Sequence, residues 1–254
     1  MKLSYELNPP KIETAGSANL NSLKDMMNSF ERRAELLHGF VDGIHLTDSV
    51  LGIPRVSGVV AAGLIGMNRV KESIPTTCSL RVRDRSLISI NQFVADASLV
   101  GIKGILFVAG DDSTNSGRYV SKPSELVRKL RSTRYDRCIE LHLAIPSRIT
   151  KYTKIQGKID AKPDAFITQS IDSLDALKDI VNLSHENEIK VIACIMIPCE
   201  KNEPSARSIG LNWASYNAAP IEFIREAGRI ADEVLLTSPN SFKAGLEILQ
   251  QLKM

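Results

Sequence analysis

Long apolar runs are missing from this 254-residue chain. None approaches the ~20 consecutive apolar residues that a membrane-crossing helix needs. The sequence also opens directly on a strand-like segment, where a secretory leader would have a basic region followed by an apolar one. A soluble, cytoplasmic protein with no membrane insertion is therefore expected. The four cysteines, Cys78, Cys138, Cys194 and Cys199, form no paired Cys-x-x-Cys arrangement, so neither a secreted disulfide framework nor a zinc site is expected. They read as reduced and mostly buried. Charge of one sign is also lacking. The net charge of +3 comes from dispersed residues, which gives no nucleic-acid footprint and would suit an anionic small molecule. No Gly-x-Gly-x-x-Gly or Walker loop follows any strand-like run, and there is no His-Glu-x-x-His pair or Gly-x-Ser-x-Gly elbow. Rossmann-type dinucleotide binding, P-loop chemistry, zinc hydrolysis and serine nucleophilic catalysis are set aside on those grounds.

What is present is alternation. Short apolar runs occur at Ser4–Leu7, Gly43–Leu46, Thr76–Val82, Gly104–Ala109, Glu140–Ala144, Ala165–Thr168, Lys190–Ile197 and Glu233–Leu236. Helical periodicity lies between them over Leu23–Leu37, Arg55–Val70, Ile88–Val100, Pro123–Arg131, Ser170–Glu186 and Ile221–Ala231, with a last helix over Phe242–Leu252. The stretch from Ile145 to Lys162 has no clear pattern. Eight buried strands alternating with helices predict a single (β/α)8 TIM barrel over residues 1–254, with an open doubly wound sheet as the alternative.

In such a barrel chemistry collects at the carboxyl ends of the strands. Ser4-Tyr5-Glu6-Leu7-Asn8-Pro9-Pro10 places Glu6 near the last rung of the first strand, because two prolines cannot continue a ladder. Glu6 is therefore a candidate acid, provided an apolar setting raises its pKa. Other strands also end in polar or special residues: Thr47-Asp48, Arg83-Asp84-Arg85, Gly110-Asp111-Asp112, Thr168-Gln169 and Ser238-Pro239-Asn240. Turn formation explains any one of these alone. Their recurrence points to one functional rim. Asp111 reads as an electrostatic partner for a cationic intermediate or a heterocyclic N–H, or else as a cap. Gln169 carries a donor and an acceptor, which suits a pterin edge. Barrel alternation would let His45 and His142 approach one another, and core or surface roles, not metal roles, are expected for all four histidines, His38, His45, His142 and His185.

Together these segments resemble the methylenetetrahydrofolate reductase family. The opening strand is similar to Ser-Phe-Glu-Phe-x-Pro-Pro, Arg83-Asp84-Arg85 to a Cys-Arg-Asp-Arg stretch, and Ile105–Asp111 to an apolar strand ending in Gly-Asp. Lys158–Gln169 resembles Lys-x-Asp-Ala-Gly-Ala-x-x-x-Ile-Thr-Gln. The resemblance implies reduction of a methylene group on a reduced pterin, either 5,10-methylenetetrahydrofolate or a methanopterin analogue, to methyl by hydride transfer. It makes Glu6 the general acid, Asp111 a catalytic and folate-site aspartate, and Gln169 the pterin-binding glutamine. Thr47, Gly110, Tyr119 and Lys158 match flavin-contacting positions, so the implied cofactors are FAD and NAD(P)H or another hydride donor.

Several positions depart from the family pattern. Ser79-Leu80-Arg81 replaces a His-Leu-Thr segment, Ala109-Gly110-Asp111 lacks the arginine of Arg-Gly-Asp, and Ile145-Pro146-Ser147 replaces Tyr-Pro-Glu-x-His. Two readings follow: a flavoprotein with altered contacts, or a flavin-free member whose donor reacts directly. The competing function is a noncatalytic or electron-dependent subunit that binds a pterin or a protein partner, and homo-oligomerisation is also compatible with the sequence. The Pro198–Pro220 connection reads as a binding loop whose Trp213 stacks on a pterin or anchors the loop.

Overall fold

The computed structural model describes residues 1–12, 19–49, 52–68, 74–83, 85–110, 121–133 and 138–254. Its eight strands are Leu3–Leu7 (β1), Gly43–Leu46 (β2), Thr76–Arg81 (β3), Gly104–Val108 (β4), Glu140–Ile145 (β5), Ala165–Thr168 (β6), Lys190–Met196 (β7) and Glu233–Thr237 (β8). All pair in parallel and in sequence order, and β8 closes on β1 through Leu3↔Val234, Ser4↔Leu235 and Tyr5↔Leu236. The closed (β/α)8 barrel predicted from the alternation is therefore the fold, and the open-sheet alternative is excluded. Among the described residues, no helix is long and apolar enough to cross a membrane.

The helices surrounding the barrel are Leu20–Leu37 (α1), Gly58–Asn68 (α2), Leu87–Leu99 (α3), Pro123–Arg131 (α4), Gln156–Ile159 (α5), Leu174–His185 (α6), Glu203–Ser208 (α7), Pro220–Ile230 (α8) and Phe242–Lys253 (α9). Their starts follow local chemistry. Asn19, Ser86, Ser173 and Ser241 cap α1, α3, α6 and α9 by accepting backbone N–H bonds with their side-chain oxygens. Pro123 opens α4, where a missing N–H has no consequence, and Glu125 accepts the Lys122 N–H at 3.1 Å. α2 begins later than the expected Arg55, because Arg55 forms a bridge with Lys11 that ties the loop after β2 to the loop after β1. α6 likewise starts after its Ser173 cap, not at Ser170. The unassigned Ile145–Lys162 stretch contains a 3-10 turn, Tyr152–Lys154, and the one-turn α5.

Strand alternation divides the core in two. Tyr5, Leu7, Leu46, Leu80, Phe107, Leu143 and Phe166 face outward into the main layer between barrel and helices. Inside the barrel, Leu106, Ala165, Ile167, Ile192 and Leu235 form a small apolar cluster on one side. The remaining interior is polar: Ser4, His45, Ser79, Arg81 and His142 are all buried. Of the thiols, Cys78 and Cys194 are buried, Cys199 is half-buried and Cys138 is exposed, and all are free. The expectation of mostly buried thiols holds for two of the four. Gly58 packs tightly, with the position of an added Cβ only 3.0 Å from the Cys78 Cβ, whereas Gly66 has open space.

Candidate active site

A cavity of about 780 Å³ opens at the carboxyl ends of the strands, within the size range of small-molecule sites. Glu6, Thr47, Asp48, Arg81, Gly110, Lys158 and Gln169 all line it. Strand ends distant in sequence are thus gathered on one rim. A second cavity of about 360 Å³ lies outside the barrel against α1, α2 and the start of β3, away from the strand ends.

Glu6 points inward from the penultimate position of β1, while Tyr5 and Leu7 face the helices. Its carboxylate accepts a 2.7 Å hydrogen bond from the Thr237 hydroxyl at the end of β8. Burial pushes the Glu6 pKa up, opposed by the Thr237 bond and the positive charge of Arg55. Arg55 donates to the Pro9 carbonyl at 2.7 Å, so the same guanidinium fixes the loop that follows Glu6. The raised pKa favours a neutral carboxyl group opening onto the cavity, which is the state a general acid needs.

This shift has a stability consequence. Below the ordinary glutamate value of about 4.5, Glu6 is protonated in both folded and unfolded chains. As pH rises through the native value, only the folded chain must ionise a desolvated group, and stability falls. Glu6→Gln removes that penalty while keeping an oxygen for Thr237. The variant is expected to melt higher than wild type at neutral pH, by about 2–4 °C per kcal/mol regained, and to match it near pH 4. Calorimetry across that range checks this; a gain that persists at low pH would contradict it.

Thr47 is buried and donates to Asn8 Oδ1 at 2.7 Å, linking the ends of β1 and β2. Asp48 accepts the Arg81 N–H at 2.8 Å and Arg85 at 3.0 Å. Arg85 also donates to the Arg81 carbonyl and lies over the Phe93 ring at 5.4 Å. It therefore braces the turn after β3. Arg81, Arg83 and Arg85 with Asp48 border a recess of about 410 Å³ that shares Asp48, Ser49 and Arg81 with the main cavity. Gly110 has φ +91°, and a Cβ there would lie 2.7 Å from Arg81 Cγ and Nε, so the Arg81 side chain covers this face.

On the opposite wall Lys158 reaches in from α5 and donates to the Ala144 carbonyl at 2.6 Å. Desolvation lowers its pKa. Gln169 follows β6 directly, with its backbone N–H bonded to the Ile145 carbonyl at 2.8 Å and its side chain exposed at the cavity. Asp84, Asp111, Asp112 and Tyr119 lie outside the described residues.

Other strand-end residues serve structure. Thr168 accepts the Cys194 N–H at 2.9 Å. Ser238 and Asn240 bind Asn202, tying the end of β8 to the segment before α7. Trp213 packs against the main core, while its carbonyl accepts from Tyr216 and Asn217, so it anchors the Pro198–Pro220 connection. No group of three metal-ligating side chains occurs among the described residues. Thr237, Arg55 and Arg81 were not anticipated from sequence. The apolar run of the last strand ends at Leu236, Arg55 falls within a helical pattern, and Arg81 stands in the sequence only as a departure from the family pattern.

Comparison with solved structures reports the fold. A chain of the tryptophan synthase complex from Pyrococcus furiosus superposes with TM-score 0.57 at 11% identity, covering 99% of this chain and 94% of that one. A 2,3-dimethylmalate lyase gives 0.58 at 11%, covering 98% and 77%. The aldolase QR15 gives 0.56 at 12%, covering 98% and 93%. Identities this low extend to architecture alone. Comparison with curated protein sequences returns no match. The profile described as methylenetetrahydrofolate reductase matches residues 1–209, a span that includes Glu6, Thr47, Arg81, Lys158 and Gln169. The chain therefore belongs to the methylenetetrahydrofolate reductase family, a family of oxidoreductases.

Proposed function

We propose that this protein reduces the methylene bridge between N5 and N10 of a reduced pterin to an N5-methyl group, with Glu6 as the general acid. The observation that carries this reading is the desolvated Glu6 carboxyl at the mouth of a ligand-sized cavity. Thr237 donates to Oε1, so the acidic proton resides on Oε2. Its transfer to N10 breaks the C–N10 bond and leaves an iminium at N5. Hydride addition to the methylene carbon then forms the methyl group. Gln169 offers an amide to the pterin edge, and Asp111 is the proposed counter-charge. Orientation of donor and acceptor within one cavity supplies much of the rate.

The family implies FAD, and the arrangement around Gly110 bears on it. Arg81 packs on the Gly110 face, Thr47 donates to Asn8 and Lys158 donates to Ala144. Arg81 covers the Cβ side of Gly110, while Gly110 still lines the cavity, and this reading routes no step through a flavin. The donor in this reading is NAD(P)H or another soluble hydride carrier that meets the pterin directly. Purified protein is expected to lack flavin absorbance and to oxidise the donor only when a methylene-pterin is present. A stoichiometric flavin would overturn the donor assignment. Failure with tetrahydrofolate and methanopterin carriers alike, over all donors, would favour a noncatalytic partner subunit.

A further inference from the structure

The recess bordered by Arg81, Arg83 and Arg85 suits negative charge. Its described lining sets those three guanidinium groups against one carboxylate, Asp48. The Asp48 side chain is 6% exposed and that of Arg85 29%, so the recess meets the cation of this pair more than the anion. A guanidinium also matches phosphate oxygens two at a time, which the point charge of an ammonium does not.

The helix that follows adds to the field. α3 starts at Leu87 behind its Ser86 cap, and Ser89 from its first turn lines the recess, so the positive end of a thirteen-residue helix lies beside the arginines. Position matters as much as charge. Asp48, Ser49 and Arg81 line both this recess and the cavity that holds Glu6 and Gln169, so the two spaces share one wall. Within that wall Arg81 is 5% exposed, and its Nη1 lies 3.5 Å from the Ser49 carbonyl. A ligand with a reacting ring in the cavity and phosphates in the recess has only this wall to cross.

We propose that the recess binds the phosphate groups of a nucleotide hydride donor whose dihydronicotinamide ring reaches into the Glu6 cavity. The inference rests on the reductase reading, in which the donor meets the pterin directly. In that reading Gln169 takes the pterin edge on the wall opposite Arg81, which leaves the recess side to the donor. A nicotinamide nucleotide has the form this layout asks for, a flat ring separated from its phosphates by one ribose. Arg85 braces the turn from Asp48, and the half-buried Arg83 is the guanidinium that a phosphate meets in the recess.

Calorimetric titration with ADP-ribose, which carries the donor's phosphates without its reacting ring, reads the recess whether or not the enzyme turns over. Wild type is expected to bind it, and Arg83→Gln to weaken binding by about 10-fold to 100-fold, the usual loss for one charge-assisted contact. Ser89→Glu gives a second variant. A glutamate three residues after Ser86 suits that cap, so α3 is kept while a carboxylate enters the recess, and the same weakening is expected. In turnover both variants should raise the donor's KM and leave the carrier's KM as it is. Their preference for reduced dinucleotide over phosphate-free dihydronicotinamide riboside should fall at least about 10-fold. No binding of ADP-ribose by wild type, or equal binding by both folded variants, would overturn the proposal. Loss of affinity for the carrier or for FAD, with ADP-ribose unaffected, would likewise overturn it. Wild type that binds ADP-ribose through Arg83 yet reduces no methylene carrier would overturn the functional reading alone.

Discussion

Glu6→Gln is expected to fold as wild type and to lose methylene reduction by about 100-fold to 10,000-fold, the usual contribution of a positioned general acid. Gln matches Glu in size, and its oxygen still accepts from Thr237, so the cavity wall and the β1–β8 contact persist. What disappears is the proton needed to expel N10. The loss should fall on kcat, with the carrier's KM little changed, because the proton acts in the transition state more than in binding. Wild-type kcat should also decline as pH rises through the native Glu6 pKa, since ionisation removes the acid, and the variant should lack that descending limb. Turnover within a few-fold of wild type would remove Glu6 from the chemistry.

Gly245→Ala is expected to produce the largest structural effect. Gly245 lies in α9 directly over Tyr5, and an added Cβ would lie 2.6 Å from Tyr5 Cζ and 2.7 Å from Cε2, closer still to the hydroxyl. Tyr5 has no room to yield: it is 1% exposed and meets the Phe242 ring edge-on at 6.0 Å. Either α9 moves off the barrel or β1 shifts. Overpacking of this kind costs about 1–3 kcal/mol or more, lowering the melting temperature by about 2–4 °C per kcal/mol. Because Glu6 follows Tyr5 on the same strand, activity should fall together with stability. An unchanged melting temperature would show that Tyr5 can be displaced at no cost, contrary to the packing described.

The barrel was legible in sequence because its two signals are local. Apolar runs and helical periodicity each appear within a few residues, and Pro9-Pro10 marks where β1 must stop. Strand-end placement located Glu6, Thr47, Gly110 and Gln169, and the family resemblance added Lys158; the fold brings all five to one cavity. What escaped was set by register. Thr237 partners Glu6 only because β8 runs one residue beyond its apolar stretch and closes on β1. Arg55 looked helical, yet the Lys11 bridge holds it beside the acid. Gly104 looked like an ordinary strand start. Its missing side chain acquires meaning only when His142, from the next strand, crosses above it.

The reaction itself can be read at the one-carbon unit. A 5,10-methylene carrier incubated with reduced nicotinamide deuterated at the transferring position, followed by NMR of the carrier, reports both the product and the origin of its new hydrogen. The account predicts an N5-methyl group bearing one deuterium, formed by wild type and nearly absent with Glu6→Gln. A one-carbon unit that stays at the methylene level with every carrier and donor, or equal methyl formation by the variant, would contradict it.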